Sequence, residues 1–162
     1  MIRDVISNDG YVISALISLS IIIIAKTVNS RRFSDLIRVF SNSNYYKIYL
    51  KEHRFIDSFD LLLFLNFCIN CTAHFYIIYC SLINLIEINI RTFSTIFLTI
   101  LLFLMVKLLI RLFIGYVFDI YSTISILIFQ QISTINFIGI ALIPVNLLLV
   151  FGLNYQIEWL II

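Results

Sequence analysis

Residues 61–86 contain no Asp, Glu, Lys or Arg, and this uninterrupted stretch of twenty-six residues restricts the fold more than any other feature. A helix of about 20 predominantly apolar residues crosses a hydrocarbon layer about 30 Å thick. Lipid offers no partner to backbone N–H and C=O groups, so a segment buried in it is stable as a helix, which bonds those groups internally. The stretch therefore predicts a transmembrane helix.

The composition extends this prediction to the whole chain. Hydrophobic residues make up 62% of the 162 residues, against roughly 45–50% in soluble globular proteins. A soluble domain of this length leaves too much of its surface in water to hide so many apolar side chains. The sequence therefore predicts an all-α, polytopic transmembrane protein, with residues 1–162 forming a single integral membrane domain.

Two shorter uncharged stretches predict further membrane spans. Sixteen uncharged residues end at Lys26, and fifteen end at Lys107. Both are slightly short for a span, but the apolar stem of a lysine or arginine lets its charge reach the headgroups, which extends the second of these helices to Arg111. Together with the C-terminal region, about four transmembrane helices are predicted, at residues 10–26, 61–86, 92–111 and 133–151.

The C-terminal region, residues 120–157, holds thirty-eight consecutive uncharged residues, which is too many for one span. Its first part, residues 121–131, mixes Tyr, Ser, Thr and Gln with apolar residues and predicts a short amphipathic helix along the membrane interface. Pro144 is the single proline, and because it lacks a backbone N–H it predicts a kink in the last span. We interpret the kink as a packing feature, and a moving hinge is the alternative.

Positive charge is concentrated in the loop between the first two predicted spans, residues 27–60. Seven of the eleven Lys and Arg residues lie between Lys26 and Arg54. Since positively charged residues in short loops stay on the cytoplasmic side, the loop is predicted to be cytoplasmic and the N-terminus to face outward. This orientation describes a multi-pass membrane protein.

The same loop contains a pattern typical of an amphipathic helix. Phe33 and Phe40 belong to an apolar stripe at helical spacing, and three arginines flank that stripe. Such a helix suits an anionic lipid surface or a membrane-protein partner. The residues predicted to dock the chain onto a partner or onto the lipid bilayer are Arg31, Arg32, Arg38, Phe33 and Phe40.

Ionisable residues within or beside the predicted spans are candidates for a polar site, namely His74, Lys107, Arg111 and Asp119. Such groups are often functional in membranes, although a neutral His74 that bonds a carbonyl of a neighbouring helix is the simpler expectation. Lys107 and Arg111 share a helical face and could bind an anionic headgroup or substrate, but snorkelling at a helix end also explains them. Asp119 could pair with either of them if the chain turns near Gly115.

The spacing of Cys68, Cys71 and His74 resembles a metal or redox motif on one helical face. A zinc site needs four ligands, usually from two elements, and the sequence has no second Cys/His pair. We therefore expect a structural cluster, with no metal and no cofactor. The sequence also lacks phosphate loops, nucleophile elbows, metalloprotease helices and dinucleotide fingerprints, so no enzyme is predicted. Acidic residues dilute the basic loop, which does not predict nucleic-acid binding.

Several segments resemble a known family. They are residues 31–35 (RRFSD), 44–52 (NYYKIYLKE), 59–64 (FDLLLF), 107–109 (KLL), 114–120 (IGYVFDI) and 144–148 (PVNLL). Their layout is similar to that of a Bacteroidota inner-membrane family known as domain of unknown function 4271, from the first span to about Tyr155. The resemblance implies a polytopic protein of the bacterial inner (cytoplasmic) membrane, without an established enzymatic motif. The outward-facing N-terminus would then be periplasmic. It also implies that family members continue through further hydrophobic segments beyond the point where this chain ends.

These features lead to one main functional hypothesis and one alternative. We predict a non-enzymatic scaffold or accessory subunit of a membrane complex, whose basic loop docks onto the bilayer or onto a membrane protein. The alternative is a transporter component for a small molecule or lipid, which uses the intramembrane charged residues around Pro144. Transporters often show paired broken helices in two related halves, whereas this sequence has one proline break and no visible repeat.

The predicted orientation can be tested by labelling a single cysteine. In a chain whose Cys68, Cys71 and Cys80 are replaced, a cysteine at Ser43 should react with a membrane-impermeant maleimide only after cells are permeabilised, because basic loops stay cytoplasmic. Labelling of intact cells from outside would reverse the assignment.

Overall fold

The computed structural model describes residues 9–37, 57–83 and 90–159, and within these ranges the side chains of residues 10–37, 57–80 and 90–151. The described ranges form five helices and contain no strand. The helices are α1 (Asp9–Val28), α2 (Ser30–Ile37), α3 (Ser58–Ile83), α4 (Ile90–Val117) and α5 (Tyr121–Trp159).

Four of the helices are long and apolar enough to cross a membrane. The spans are Gly10–Val28, Ser58–Cys80, Ile90–Val117 and Tyr121–Phe151. The prediction of an all-α, polytopic fold with about four transmembrane helices is therefore confirmed. The fifth helix, α2, is the short amphipathic helix predicted within the basic loop.

Polar residues at the helix starts fix how the chain enters α2 and α3. Asn29 separates α1 from α2, and its Oδ1 accepts a hydrogen bond from the backbone N–H of Arg32 at 3.0 Å. Asp57 has the same role before α3, where its side-chain Oδ1 accepts from the N–H of Ser58 at 2.7 Å. These caps satisfy N–H groups that have no partner within the helix. Because α2 starts at a fixed residue, its inward face is fixed as well.

The structure corrects two predicted boundaries. The third span continues past Arg111 to Val117. Residues 121–131 are the first turns of α5 rather than a separate interfacial helix. The physical reason is tertiary packing: every fourth residue of this segment is an isoleucine, and these isoleucines form a cluster with Leu108 and Leu112 of α4. Helix α5 also continues through Pro144, which lies on its exposed side.

The connection between α4 and α5 is a tight turn around Asp119. The N–H of Ile120 donates to the carbonyl of Gly115 at 3.1 Å, and the N–H of Asp119 donates to the carbonyl of Tyr116 at 3.4 Å. This pair of bonds defines a Schellman motif, which requires a left-handed residue after the helix end. Asp119 has a φ of 53° and supplies that conformation. The chain therefore reverses directly after α4, as expected near Gly115.

Helix α3 lies in the middle of the bundle and packs against α1, α4 and α5. Residues later in α3 meet residues later in α5, so the two helices run parallel: the matching pairs are Asp60 with Asn136, Phe67 with Gly139, and Asn70 with Asn146. The two helices approach closely at Gly139, where an added Cβ would lie 2.8 Å from the Cα of Phe67. Small residues permit such close contact between membrane helices.

Replacing Gly139 with alanine tests this close approach. The added methyl group would collide with the backbone of Phe67, so Gly139→Ala should lower the free energy of unfolding by about 1–3 kcal/mol, as overpacking does. Thermal unfolding in detergent micelles measures the effect. Gly115→Ala is the graded comparison, since its Cβ would meet only side-chain atoms of Ile124, at 3.2 Å, and it should cost less. Equal or greater stability of Gly139→Ala would contradict the contact.

Candidate functional site

The interior of the bundle contains a series of polar side chains. They lie where α3 faces α1, α2 and α5, and all are buried except His74, which is half-buried. We call this series the polar column, and its members are Ser18, Arg32, Asp60, Asn66, Asn70, His74, Ser133, Asn136 and Asn146. Polar groups inside a membrane protein are costly unless they bond one another, so their arrangement is informative.

An ion pair closes the column at one end. The Nη2 atom of Arg32 donates to Oδ2 of Asp60 at 2.6 Å, and the two side chains are 7% and 2% exposed. The Nη1 atom of Arg32 lies 3.6 Å from Oδ2 of Asp57. Arg32 is on α2 and both acidic residues are at the start of α3, so the pair fastens the short helix to the bundle. We call the end of the bundle that contains Arg32, Asp57 and Asp60 the basic end.

Two aromatic rings and an amide surround the ion pair. The guanidinium carbon of Arg32 lies 5.1 Å from the ring centre of Phe59 and 5.7 Å from that of Phe129, distances at which aromatic faces attract cations. The remaining oxygen of Asp60, Oδ1, accepts from Nδ2 of Asn136 at 3.3 Å. Both carboxylate oxygens of Asp60 are therefore bonded, by side chains from two different helices.

The opposite half of the column is a hydrogen-bonded chain of amides. Nδ2 of Asn70 donates to Oγ of Ser18 at 2.9 Å and to the backbone carbonyl of Asn66 at 2.8 Å. Nδ2 of Asn146 donates to the backbone carbonyl of Asn70 at 2.9 Å. These bonds connect α1, α3 and α5 at the level of Asn70.

His74 ends this chain. Its Nδ1 lies 2.9 Å from Oδ1 of Asn146. Because Nδ2 of Asn146 is the donor to Asn70, Oδ1 accepts, and Nδ1 of His74 carries the hydrogen. The ring therefore bonds a carbonyl oxygen of a neighbouring helix, supplied by a side chain.

Three buried side-chain atoms on Asn66, Ser133 and Asn136 have no hydrogen-bond partner among the described residues. They are Nδ2 of Asn66, Oγ of Ser133 and Oδ1 of Asn136, and all three side chains are 0% exposed. A buried polar atom without a partner costs about 1–3 kcal/mol. These three atoms give the column unused hydrogen-bonding capacity, and one of them belongs to Asn136, which bonds Asp60.

The residues predicted to dock the chain onto a partner lie in different surroundings. Arg31 is exposed, whereas Arg32 and Phe33 point into the bundle. The prediction that all five side chains face a partner is therefore corrected for Arg32 and Phe33, which are engaged inside the chain. Arg38 and Phe40 lie outside the described residues.

The predicted intramembrane candidates do not form one site. His74 belongs to the polar column, but Lys107 and Asp119 are exposed and Arg111 is half-buried on α4. No ion pair joins Asp119 to Lys107 or Arg111, all of which lie in the part of the chain that the structure describes. The left-handed conformation of Asp119 in the turn gives this residue a structural role.

The cysteines of the predicted structural cluster lie on α3. Cys68 is buried, Cys71 and Cys80 are half-buried, and all three are free thiols. Within residues 9–37, 57–83 and 90–159, no group of three or more His, Cys, Asp and Glu side chains is placed to hold a metal ion.

The amides of the column were missed in the sequence. Asn66 and Asn70 are four residues apart within an apolar span, and Asn136 and Asn146 interrupt the last span. Residues four apart share a helical face, and polar side chains between membrane helices commonly bond across them. Two asparagines four residues apart within a span could therefore have predicted hydrogen bonds to a neighbouring helix.

The bundle and its polar interior define a class: a polytopic, α-helical membrane protein with a hydrogen-bonded column between its spans. The family described as Domain of unknown function (DUF4271) matches residues 11–162, and the chain belongs to this family. No curated protein and no solved structure matches the chain.

The ion pair between Arg32 and Asp60 can be tested by a double-mutant cycle. Arg32→Leu or Asp60→Leu alone leaves an uncompensated buried charge, which costs about 3–5 kcal/mol, whereas replacing both with apolar residues is often neutral or stabilising. We expect the double variant to recover most of the stability lost in either single variant, measured by unfolding in detergent. Arg31→Leu is the exposed control and should change stability little. Additive losses in the double variant would contradict the pairing.

Proposed function

We propose that the protein is a non-enzymatic scaffold or accessory subunit of a membrane complex, and that α4 is its main contact surface. The supporting observation is the unequal cover of the spans. Of the most apolar stretch of 18 residues in α3, 44% is buried within the chain. None of the corresponding stretch in α4 is buried. Gly115 is the one buried residue on α4, and much of the surface of this helix is open to lipid or to another helix.

The exposed surface of α4 is large and apolar. Leu102 and Phe103 are each 64% exposed, and Phe113 is 68% exposed. In lipid an apolar surface is not by itself unstable, but van der Waals packing between helices can still hold a complex together. A helix tied to its own chain by few contacts can pack against a second protein without disturbing the α1–α3–α5 interior.

The outer side of α2 is a second contact surface in this proposal. Its inner side is occupied by Arg32, Phe33 and Leu36, which are buried in the bundle. Arg31 and Ile37 remain exposed. The docking function predicted for the basic loop therefore rests, among the described residues, on Arg31.

The position of the basic residues supports a cytoplasmic orientation of the loop in the inner membrane. Leu108 and Leu112 of α4 pack against isoleucines on either side of Phe129, and Phe129 contacts Arg32. Lys107 and Arg111 are direct neighbours of these leucines, so they lie at the basic end as well. Positive charge collected at one end of the bundle is the pattern expected of the cytoplasmic side.

The alternative, a transporter component built on Lys107, Arg111, Asp119 and His74, has less support. The first three lie outside the polar column that contains His74. A substrate site would have to be formed by other residues.

Bulky replacement on α4 tests the subunit proposal. Leu102→Trp keeps the surface apolar and should leave insertion unchanged, but the larger ring should prevent close packing of a partner helix. We expect at least several-fold lower recovery of co-purifying membrane proteins in mild detergent, measured by mass spectrometry with tagged chain as the reference. The matched control is Ile23→Trp on α1, where Ile23 is 62% exposed, and it should retain normal recovery.

Arg31→Gln provides the corresponding test for α2. One charge near an anionic surface contributes about 1 kcal/mol, so recovery of the partner should fall roughly fivefold without loss of thermal stability. A chain that purifies as a clean monomer, whichever variant is used, would rule out the subunit proposal.

A further inference from the structure

A cavity lies between α1, α3 and α4, at the end of the bundle opposite the basic end. Its volume is about 350 Å³, within the range of about 300–1,000 Å³ that is usual for ligand pockets. The described residues that line it are mostly apolar or aromatic, and they include Ile13 and Ile17 on α1, Ile69 and Tyr76 on α3, and Ile90 and Phe93 on α4. None of the described lining residues is charged, so the cavity suits an uncharged, apolar group.

Three aromatic rings hold the helices around this cavity. The ring centre of Tyr76 on α3 lies 6.3 Å from that of Tyr11 on α1 and 5.8 Å from that of Phe93 on α4. Both distances are within the range that aromatic pairs prefer. The hydroxyl of Ser14, which also lines the cavity, donates to the carbonyl of Tyr11 at 2.9 Å and is therefore engaged within α1. The cavity is thus built by the packing of three spans rather than by the surface of one helix.

The cavity is too narrow for a helix of another protein. Gly10 and Ile17 both line it, and they are seven residues apart, which corresponds to about 10 Å along α1. A volume of about 350 Å³ over this length gives a mean cross-section of about 35 Å². A helix with its side chains is about 10–12 Å wide, which corresponds to roughly 80–110 Å². A single extended hydrocarbon chain is much thinner than a helix, so it is the apolar group that fits these dimensions.

The occupant of the cavity has to come from the bilayer. The described lining residues all belong to the spans Gly10–Val28, Ser58–Cys80 and Ile90–Val117. Arg91 is exposed in the first turn of α4, next to Ile90, and arginine binds phosphate oxygens through charge-assisted hydrogen bonds. A hydrocarbon chain in the cavity and a phosphate at Arg91 are parts of one membrane lipid. We propose that the cavity holds one acyl chain of an anionic phospholipid and that Arg91 binds the phosphate of that lipid.

This lipid site goes beyond the subunit function and lies on a different part of the molecule. The contact surface proposed on α4 includes Leu102 and Phe103, whereas the cavity uses Ile90 and Phe93 at the start of the same helix. The two proposals are also measured separately, because lipid binding is read from the mass of the purified chain and partner binding from co-purifying proteins. Either proposal can fail while the other holds.

Native mass spectrometry of the full-length chain tests the acyl-chain site. The delipidated chain is incubated with phosphatidylglycerol in detergent, freed of excess lipid, and its bound lipid is counted. We expect one phosphatidylglycerol on most wild-type chains and at least fivefold lower occupancy in Ile17→Trp, because the indole fills the cavity. The matched control is Ile24→Trp, since Ile24 is 50% exposed and Ile17 is 48% exposed on the same helix. Ile69→Phe fills the cavity from α3 and should lower occupancy as well.

Changes at Arg91 test the phosphate contact. Arg91→Gln should lower the occupancy by phosphatidylglycerol several-fold, whereas Arg91→Lys keeps the charge and should retain most of it. Diacylglycerol with the same acyl chains has no phosphate, so its occupancy should be equal in wild type and Arg91→Gln. Wild-type chain without bound phosphatidylglycerol, or equal occupancy in Ile17→Trp and Ile24→Trp, would overturn the acyl-chain site. Unchanged phosphatidylglycerol occupancy in Arg91→Gln would overturn the phosphate contact.

Discussion

The ion pair between Arg32 and Asp60 determines how the rest of the bundle is arranged at its basic end. Two charges that leave water lose several kcal/mol of solvation each, so neither is tolerated inside the bundle without the other. The 2.6 Å contact therefore forces α2 to fold back against the start of α3. Asn136 then adds α5 by bonding the second oxygen of Asp60, and a single carboxylate links three helices.

Polar bonds matter more here than in a soluble protein because lipid is as apolar as the side chains it replaces, which leaves little hydrophobic force between spans. The α1, α3 and α5 helices are joined by the amides around Asn70 and by the close approach at Gly139. Helix α4 packs against α3 and α5, and the contacts with α5 include the leucine cluster and the turn at Asp119. These contacts bury less of α4 than the polar bonds and the contact at Gly139 bury of α3.

The sequence predicted the spans well because absence of charge over about 20 residues has one stable outcome in lipid. It predicted α2 from the spacing of Phe33 and Phe40, but it assigned the wrong direction to Arg32. An arginine in a basic loop is normally a topology signal, and its partner Asp60 is twenty-eight residues away, so no local pattern shows the pairing. The predicted start of the last span was wrong for a similar reason. The isoleucines at the beginning of α5 pack against residues of α4, which the local sequence does not show.

Helix packing accounts for part of the polar column, and the atoms without a partner among the described residues show where it stops. If the column only fastened helices, each polar atom would be expected to bond a neighbouring helix, as those of Asn70 and Asn146 do. An alanine at Ser133 would then cost nothing in bonding, because its hydroxyl has no partner among the described residues. Packing therefore explains the bonded amides of the column but not the unused donors and acceptors of Asn66, Ser133 and Asn136.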